Sequence, residues 1–259
     1  MGCFAKLFLF SLLLTPILWS AEPLRIGTDA ALPPYTFKNA EGQTVGIEID
    51  LARLVAQSLN RPLRIKILPF KKLFDALKDG EIDMIMAGLS VTKARAEKML
   101  FTVPWWHTAQ MALTHQANRL IPNPSSGGTG MRVGYLKETT GQLLVSRRFH
   151  KAKSFGFETI EEGIAKLIHN QIDYLFVDAP TVWYYTSVHP LEHIAGWYLP
   201  YTDEPLAWAL RPNQTALKKA LDAHIQTWRQ DGTIRKILGH WIPAAAVAPN
   251  PDRLIRFDR

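Results

Sequence analysis

The sequence is almost free of cysteine. Cys3 is the single cysteine among 259 residues, and a mature chain that began at Glu22 would contain none. Disulfides, thiol catalysis and cysteine-ligated zinc are therefore excluded for such a chain. Cys3 also lies ahead of the N-terminal apolar run, so it cannot serve as a lipid-attachment cysteine at a cleavage junction.

Long hydrophobic runs are also missing. The apolar run from Leu7 to Trp19 follows Lys6 and is shorter than the roughly 20 residues that a membrane-spanning helix needs. Small residues close the segment at Ser20 and Ala21. This pattern predicts a secretory signal peptide over residues 1–21 and a periplasmic mature protein. The alternative is an N-terminal anchor helix, against which Pro16 and the short run both count.

Long basic runs are absent, although 30 Lys and Arg against 23 Asp and Glu give a formal net charge of +7. We therefore expect no nucleic-acid partner. Residues 127–130 are glycine-rich but lack the Gly-Lys-Ser/Thr ending of a phosphate loop. His189 and His193 lack the glutamate of a zinc-protease motif and an obvious third ligand. No metal and no cofactor are predicted.

Short apolar runs alternate with helical patterns along the chain, and hydrophobic residues make up 47% of it. This alternation is typical of a mainly parallel sheet covered by helices. It occurs twice, with strands near Met111–His115 and Leu206–Leu210 placed to carry the chain across and back. The sequence therefore predicts a two-lobed α/β fold with a cleft. Lobe I would comprise residues 22–110 and 205–259, and lobe II residues 111–204, with a loosely ordered tail beyond Pro243.

Ligands of open α/β sheets bind where strands end and helices begin. At the first such junction, Thr92 can cap a short helix that carries Arg95 in its first turn. A cation there opposes the helix dipole, and an anionic ligand would remove the conflict. The alternative is a surface arginine paired with Glu97 or another carboxylate.

Two further junctions carry polar residues. At residues 136–142 a threonine hydroxyl and free N–H groups would form a small anion site, although plain N-capping by Thr139 or Thr140 is the simpler interpretation. Asp178 ends an apolar strand, where an unpaired carboxylate is costly. It either caps the following helix or receives a cationic group.

Several ordered motifs carry a family resemblance. They are Ile26-Gly27-Thr28-Asp29 with Pro34-Tyr35, residues 45–52, Gly80-Glu81-Ile82-Asp83, Gly88-Leu89-Ser90-Val91-Thr92 with Arg95, residues 101–104, and Asp231-Gly232-Thr233 with Trp241. Together, across essentially the whole mature chain, they resemble the bacterial extracellular solute-binding proteins of family 3, which serve polar amino-acid uptake. The resemblance implies a type II periplasmic-binding-protein fold, two lobes joined by two hinge crossovers.

The resemblance also implies a cleft that closes on a free amino acid. The family's ligand-contacting positions fall on Asp29, Phe70, Gly88, Ser90, Arg95, Thr140, Gly141 and Asp178. Arg95 matches the arginine that grips the α-carboxylate with two hydrogen bonds, helped by Thr140 and Gly141. A planar guanidinium suits this task because its two donors match the two carboxylate oxygens.

The other end of the ligand is assigned in the same way. Asp178 matches the acid that takes the α-ammonium group, which the Gly88 carbonyl and the Ser90 hydroxyl share. Asp29 matches a position that contacts the ligand side chain, and Phe70 matches an aromatic residue that stacks over it.

Two departures from the family pattern bear on specificity. Leu32 stands where the family often has a second aromatic residue, so the aromatic clamp would be one-sided. Glu138 stands where a small residue is common, and its carboxylate would narrow the pocket, select a cation or point to solvent. With Asp29 nearby, a basic or neutral polar side chain is favoured.

Two other functions stay open. A cyclohexadienyl-dehydratase-like enzyme on the same scaffold would need a general acid, for which Asp178, Asp29 or Glu138 are candidates. A ligand-sensing module for a membrane receptor would bind in the same way. The expected protein is a monomer without catalytic activity, and its expected partners are an amino acid and the membrane permease of an ABC transporter.

Overall fold

The computed structural model of the protein describes residues 22–118, 124–188 and 190–243. The predicted signal peptide, Cys3, His189 and the tail beyond Pro243 therefore lie outside the described residues. Across these described ranges, no helix combines the length and the apolar character that crossing a bilayer would require.

Strands and helices alternate along most of the described chain. The strands are β1 (Leu24–Thr28), β2 (Phe37–Lys38), β3 (Thr44–Val45), β4 (Leu63–Ile67), β5 (Met84–Ile85), β6 (Leu100–Phe101), β7 (Trp106–Thr108), β8 (Gln110–His115), β9 (Arg132–Leu136), β10 (Lys153–Phe157), β11 (Tyr174–Asp178), β12 (Ile194–Trp197), β13 (Glu204–Leu206) and β14 (Ala209–Leu210). The helices are α1 (Ile47–Ser58), α2 (Phe70–Lys78), α3 (Lys93–Ala96), α4 (Thr140–Arg148), α5 (Ile160–Ile168), α6 (Ala179–Trp183), α7 (Thr215–Gln230) and α8 (Thr233–Trp241), with a 3-10 turn at Pro124–Ser126 and a π-helical turn at Tyr184–Val188.

Two five-stranded sheets organise the molecule. The first has the order β4-β1-β5-β14-β6, and the second has the order β10-β9-β11-β8-β12. In the first sheet, β1 lies between its two parallel neighbours, β4 and β5. In the second sheet, β9 lies in the same way between β10 and β11. We call the first sheet with its helices the first lobe, and the second sheet with its helices the second lobe. The predicted two-lobed α/β architecture is confirmed.

The chain passes between the lobes on two strands that pair with each other. Strand β7 carries the chain from the first lobe to the second, and β13 carries it back to the first. The two strands are antiparallel, with Glu204 opposite Thr108. The predicted crossing at Met111–His115 is displaced, because those residues lie in β8, inside the second sheet. The true crossing directly precedes them.

The predicted single strand Leu206–Leu210 is in fact two short strands. Between them, the backbone N–H of Ala207 donates to the Leu89 carbonyl (3.2 Å) and that of Trp208 to the Thr102 hydroxyl (3.1 Å). Because of these bonds, residues 207 and 208 do not pair with a neighbouring strand. β13 therefore belongs to the crossing between the lobes, and β14 pairs within the first sheet. The apolar run Met84–Leu89 likewise forms a strand only as far as Ile85.

The amphipathic helices predicted from hydrophobic periodicity are confirmed. Their apolar stripes cover the sheets and bury large side chains, among them the fully buried Trp105, Trp106 and Trp208 of the first lobe. Thr159 caps α5 as the capping box predicts, since its hydroxyl accepts from the Glu162 N–H (3.3 Å). The helices leave the carboxyl ends of the parallel strands facing the space between the lobes.

The same arginine–aspartate clamp holds each sheet at its other end. Asp83, just before β5, accepts from the backbone N–H of Arg25 (2.9 Å) and from its guanidinium (2.7 Å). Asp173, just before β11, accepts the matching pair from Arg132 (2.7 and 2.6 Å). Each clamp ties two parallel strands at their amino ends, away from the cleft.

Asp83→Asn should destabilise the fold by about 2 kcal/mol, because the buried carboxylate also faces Arg61 (3.4 Å) and Arg211 (3.5 Å). Burial raises the pKa of Asp83, but the hydrogen bonds and charge of Arg25 outweigh it and lower the pKa. The stabilisation is therefore complete above the carboxyl's unfolded pKa and is lost as the pH falls through the lower folded value. Urea unfolding at several pH values measures this. Glu81→Gln, which removes an exposed surface pair, is the control, and equal losses in both variants would contradict the clamp.

Candidate functional site

One cavity between the lobes is lined by residues from both of them. Most of the predicted site residues line it, namely Asp29, Leu32, Phe70, Gly88, Ser90, Arg95, Thr140 and Asp178. Gly141 and Glu138 lie beside residues of this wall. The fold therefore brings together side chains that are up to 149 residues apart in sequence, from Asp29 to Asp178.

Helix α3 carries Arg95 to the cavity. The predicted cap is confirmed, since the Thr92 hydroxyl accepts from the Arg95 N–H (3.3 Å). The guanidinium donates through Nη1 to the Ser90 carbonyl (2.9 Å) and through Nη2 to the Glu138 carbonyl of the second lobe (3.0 Å). Its carbon lies 5.7 Å from the ring centroid of Phe70. Backbone carbonyls and a ring thus orient this charge.

No protein carboxylate neutralises Arg95 directly. Within the described ranges, no carboxylate oxygen lies within salt-bridge distance of its guanidinium, so the alternative pairing with Glu97 is wrong. Burial lowers the pKa of Arg95, and the charges of Glu204, Asp178 and Glu138 raise it. A guanidinium stays protonated despite such burial. The wall therefore presents a positive charge that an anionic group from outside can satisfy.

The start of helix α4 faces the same space without a side-chain cap. The Thr139 hydroxyl donates to the Leu136 carbonyl (2.7 Å), and the Thr140 hydroxyl accepts from the side-chain amide of Gln110 (3.0 Å). The capping alternative is therefore wrong. A Cβ on Gly141 would lie 2.9 Å from Oε1 of Gln110, so glycine allows this close approach. The first N–H groups of the helix remain for an anion.

Asp178 ends β11 and is 8% exposed. Its side chain makes no capping hydrogen bond, so the capping alternative is wrong here too. Burial raises the pKa of Asp178 well above its usual range and the charge of Glu204 raises it further, while hydrogen bonds from Gln110 and Tyr35 lower it. A cation beside this carboxylate would remove the cost of its burial.

Sequence reasoning missed two buried residues behind the cavity wall, Glu204 and Gln110. Glu204 lies on β13, where Oε2 accepts from the Ser90 hydroxyl (2.6 Å) and Oε1 from the Thr202 hydroxyl (2.7 Å). Gln110 begins β8, and its amide nitrogen donates to both Asp178 and Thr140. Both residues lie at the crossings and not at strand-to-helix junctions. The one available signal was a glutamate next to an apolar run.

Asp29 follows β1 and lines the cavity. Its Oδ1 accepts from the Thr36 hydroxyl (3.0 Å), and surrounding protein raises the pKa of Asp29 to about 6. Phe70, the first residue of α2, and Leu32 also line the cavity. The aromatic wall is therefore one-sided, as predicted.

Glu138 contributes its backbone rather than its carboxylate. The carboxylate is exposed and lies 3.8 Å from Nζ of Lys71 across the cleft, and it does not line the cavity. Of the three predicted roles, the structure shows the solvent-facing one. The positive φ of 63° at Glu138 turns its carbonyl toward Arg95.

The described part of the chain offers no cluster of metal-ligating side chains. No group of three or more His, Cys, Asp or Glu side chains is placed to hold an ion there. His193 stacks on His115 with ring centroids 5.6 Å apart, and its predicted neighbour His189 lies outside the described residues.

Comparison with known proteins gives a family match. The model of the bacterial extracellular solute-binding proteins, family 3, matches residues 24–244. The curated relatives include ABC transporter arginine-binding protein 1 of Escherichia coli (strain K12). It is 24% identical over 227 residues, which cover 86% of this chain and 92% of that protein.

Solved structures give the same fold. An ancestral arginine-binding protein bound to arginine has a TM-score of 0.80 at 26% identity, covering 86% of this chain and 99% of that one. An ancestral amino acid-binding protein, described as a precursor of cyclohexadienyl dehydratase, has a TM-score of 0.79 at 26% identity, covering 85% and 95%. The predicted type II periplasmic-binding-protein fold is confirmed.

Gly88→Ala should destabilise the protein by roughly 3 kcal/mol, because φ is +62° and a Cβ would lie 2.9 Å from the ring of Tyr35. The Gly88 N–H also donates to the buried Glu48 carboxylate (3.0 Å). Gly42→Ala is the matched control, with φ of +74° and open space, and should lose only about 1 kcal/mol. Urea unfolding compares the two. Equal losses would mean that the contact with Tyr35 is unimportant.

Proposed function

The chain belongs to the bacterial extracellular solute-binding proteins, family 3, and we propose that the solute it captures is an amino acid with a cationic side chain. The charge balance of the cavity carries this proposal. Asp29, Asp178 and Glu204 face or back the cavity, and Arg95 is the counter-charge among them. No ion pair neutralises these four groups within the described residues. A cationic amino acid reduces the excess of negative charge, which a neutral one leaves unchanged.

The α-carboxylate of the ligand would bind at Arg95 and the start of α4. The guanidinium supplies two parallel donors. The N–H groups of Thr140 and Gly141 supply further donors at the positive end of a helix that no side chain caps. These donors come from different lobes, so a carboxylate between them would hold the cleft closed.

The α-ammonium group would bind at Asp178, with the Gly88 carbonyl and the Ser90 hydroxyl as further acceptors. Asp178 is buried without a cationic hydrogen-bond partner, so an ammonium group would stabilise its ionised form. Ammonium and carboxylate would thus lie against opposite charges, one from each lobe.

The cationic side chain would extend past Phe70 toward Asp29. A guanidinium or ammonium group is attracted to the face of an aromatic ring and to a carboxylate. Leu32 offers an apolar surface at the same end. The arginine-binding relatives support this interpretation of the pocket, since one is 24% identical to this chain and another shares its fold at a TM-score of 0.80.

Capture would proceed by closure of the lobes around the ligand. The contacts that join the lobes here include the bond from Arg95 to the Glu138 carbonyl and that from the Thr181 hydroxyl to the Pro33 carbonyl (2.8 Å). We place the lobe boundaries at residues 110/111, just after the crossing strand β7, and at residues 204/205, within the crossing strand β13. The closed protein would deliver its ligand to an ABC-type permease.

Several finer features stay predictions. They are secretion through a cleaved signal peptide, a monomeric state, the absence of a nucleic-acid partner and the absence of catalysis. Turnover of a cyclohexadienyl acid by the purified protein would contradict the last of these. The binding function already uses Asp29 and Asp178, the two candidate acids that line the cavity.

Arg95→Ala should weaken binding of L-arginine by at least about 100-fold, close to 3 kcal/mol, because the ligand carboxylate would be buried without its main partner. Isothermal titration calorimetry measures the affinity. Lys93→Ala removes a like charge from an exposed position of the same short helix and should leave the affinity unchanged. An unchanged affinity in Arg95→Ala would refute the role of Arg95.

The wild-type protein should bind L-arginine or L-lysine more tightly than the neutral L-citrulline. Asp29→Asn should weaken L-arginine binding about 10-fold or more and leave L-citrulline nearly unaffected, since only the cation loses a charged partner. The cation binds the ionised carboxylate, so wild-type affinity for L-arginine should fall as the pH drops below the Asp29 pKa of about 6.

Glu138→Gln, which removes an exposed carboxylate at the rim, is the control for this experiment and should preserve the preference for L-arginine. Titration calorimetry between pH 5 and 8 measures both ligands in all three proteins. Equal weakening of L-arginine and L-citrulline in Asp29→Asn would refute the proposed contact with the side chain.

A further inference from the structure

We propose that Glu204 sets the hydrogen-bonding polarity of Ser90, so that the Ser90 hydroxyl accepts from the ligand ammonium group and cannot donate to the ligand carboxylate. The inference rests on the proposed function, because it requires a zwitterion in the cavity. It adds a positioning residue on the crossing strand β13, behind the residues that touch the ligand.

The geometry around Glu204 leaves one assignment of the protons. The side chain is buried, with 7% of its surface exposed, and it receives the Ser90 hydroxyl at 2.6 Å and the Thr202 hydroxyl at 2.7 Å. An ionised carboxylate has no proton to donate, so each hydroxyl must be the donor. The short bond to Oε2 is typical of a hydroxyl that donates to a charged oxygen.

A serine hydroxyl has a single proton, and Ser90 has committed it to Glu204. What remains toward the cavity are the lone pairs of Oγ, which only accept. The Ser90 carbonyl already accepts from Arg95 (2.9 Å). An ammonium group can donate to these lone pairs, whereas a carboxylate in the same place would meet a repulsive acceptor.

The opposite polarity is built at Thr140. The Gln110 amide nitrogen donates to the Asp178 carboxylate and to the Thr140 hydroxyl (3.0 Å). An ionised Asp178, the form that the ligand ammonium group stabilises, can only accept, and this determines which end of the amide faces it. Because Thr140 accepts from behind, its own proton is left for an acceptor in the cavity, such as the ligand carboxylate.

The Gln110 amide keeps this orientation although it leaves one of its polar atoms unpaired. Its Oε1 atom is buried and has no hydrogen-bond partner within the described residues. A buried unpaired acceptor is unfavourable, and turning the amide would place oxygen against the Asp178 carboxylate, which is worse. The two hydroxyls of the cavity therefore present one acceptor and one donor, and this pair distinguishes the two ends of a zwitterion.

Glu204 also acts on the site through its charge, since it raises the pKa of Asp178 and that of Arg95. If Glu204 acted only through its charge, its removal would weaken ammonium binding whether or not Ser90 were present. The polarity mechanism requires Ser90 as the intermediary. A double-mutant cycle separates the two, because only residues that act through one another give non-additive losses.

The experiment compares the wild type, Glu204→Gln, Ser90→Ala and the double variant by titration calorimetry. The probes are L-arginine and des-amino-arginine, the same acid without its α-ammonium group. Glu204→Gln removes the charged acceptor that holds the Ser90 proton, so the Ser90 hydroxyl is free to turn that proton toward the cavity. We expect L-arginine binding to weaken at least 10-fold and des-amino-arginine binding to change much less. In the Ser90→Ala background the same substitution should have little further effect.

Asp203→Asn is the matched control, because it removes an equal charge from the adjacent residue, whose side chain is 53% exposed. It should leave both affinities unchanged. Equal weakening of both probes in Glu204→Gln, or additive losses in the double variant, would overturn the inference.

Thermal unfolding shows whether each variant is folded. If Glu204→Gln does not fold, Ser90→Ala decides alone. Weaker binding of L-arginine with unchanged binding of des-amino-arginine supports the inference, and equal weakening of both overturns it. A wild-type protein that bound no amino acid would instead overturn the proposed function, which the wild-type titrations reveal before any variant is made.

Discussion

A partly buried guanidinium that pairs with no carboxylate of the described residues is the constraint on which the cleft depends. Arg95 is oriented by two backbone carbonyls and an aromatic ring, and one of those carbonyls, that of Glu138, belongs to the opposite lobe. These hydrogen bonds orient the charge but do not neutralise it. In the proposed complex, the ligand carboxylate neutralises it. Asp178 is in the converse position, buried with neutral donors only. Such a pair of unmatched charges is unfavourable until a zwitterion lies between them.

The crossing strands do more than connect the lobes. Glu204 lies on β13, and Gln110 lies just beyond β7, so both lie at the connection between the lobes. From there they bond to Ser90, Thr140 and Asp178. A rigid polar layer behind the wall can therefore orient hydroxyls of both lobes, and it does so without touching the ligand itself.

Each lobe is also stiffened at the end far from the cleft. The matching clamps of Arg25 with Asp83 and of Arg132 with Asp173 tie the amino ends of parallel strands in the two sheets. The clamped strands β1 and β11 are those whose opposite ends lead to Asp29 and Asp178. The repeated clamp suggests one design for both halves of the molecule.

The sequence by itself determined the α/β class, the two alternations, the cap at Thr92 and the presence of Arg95 and Asp178 at strand-to-helix junctions, because these depend on periodicity and on local chemistry along the chain. The place of Asp29 came from the family resemblance. It misplaced one crossing and merged β13 with β14, because strand ends there depend on partners such as Thr102. Only the tertiary structure decided that Glu204 and Gln110 stand behind the cavity wall. Their roles arise from contacts over 114 and 68 residues of chain, and no local pattern encodes which buried donors and acceptors will meet across such distances.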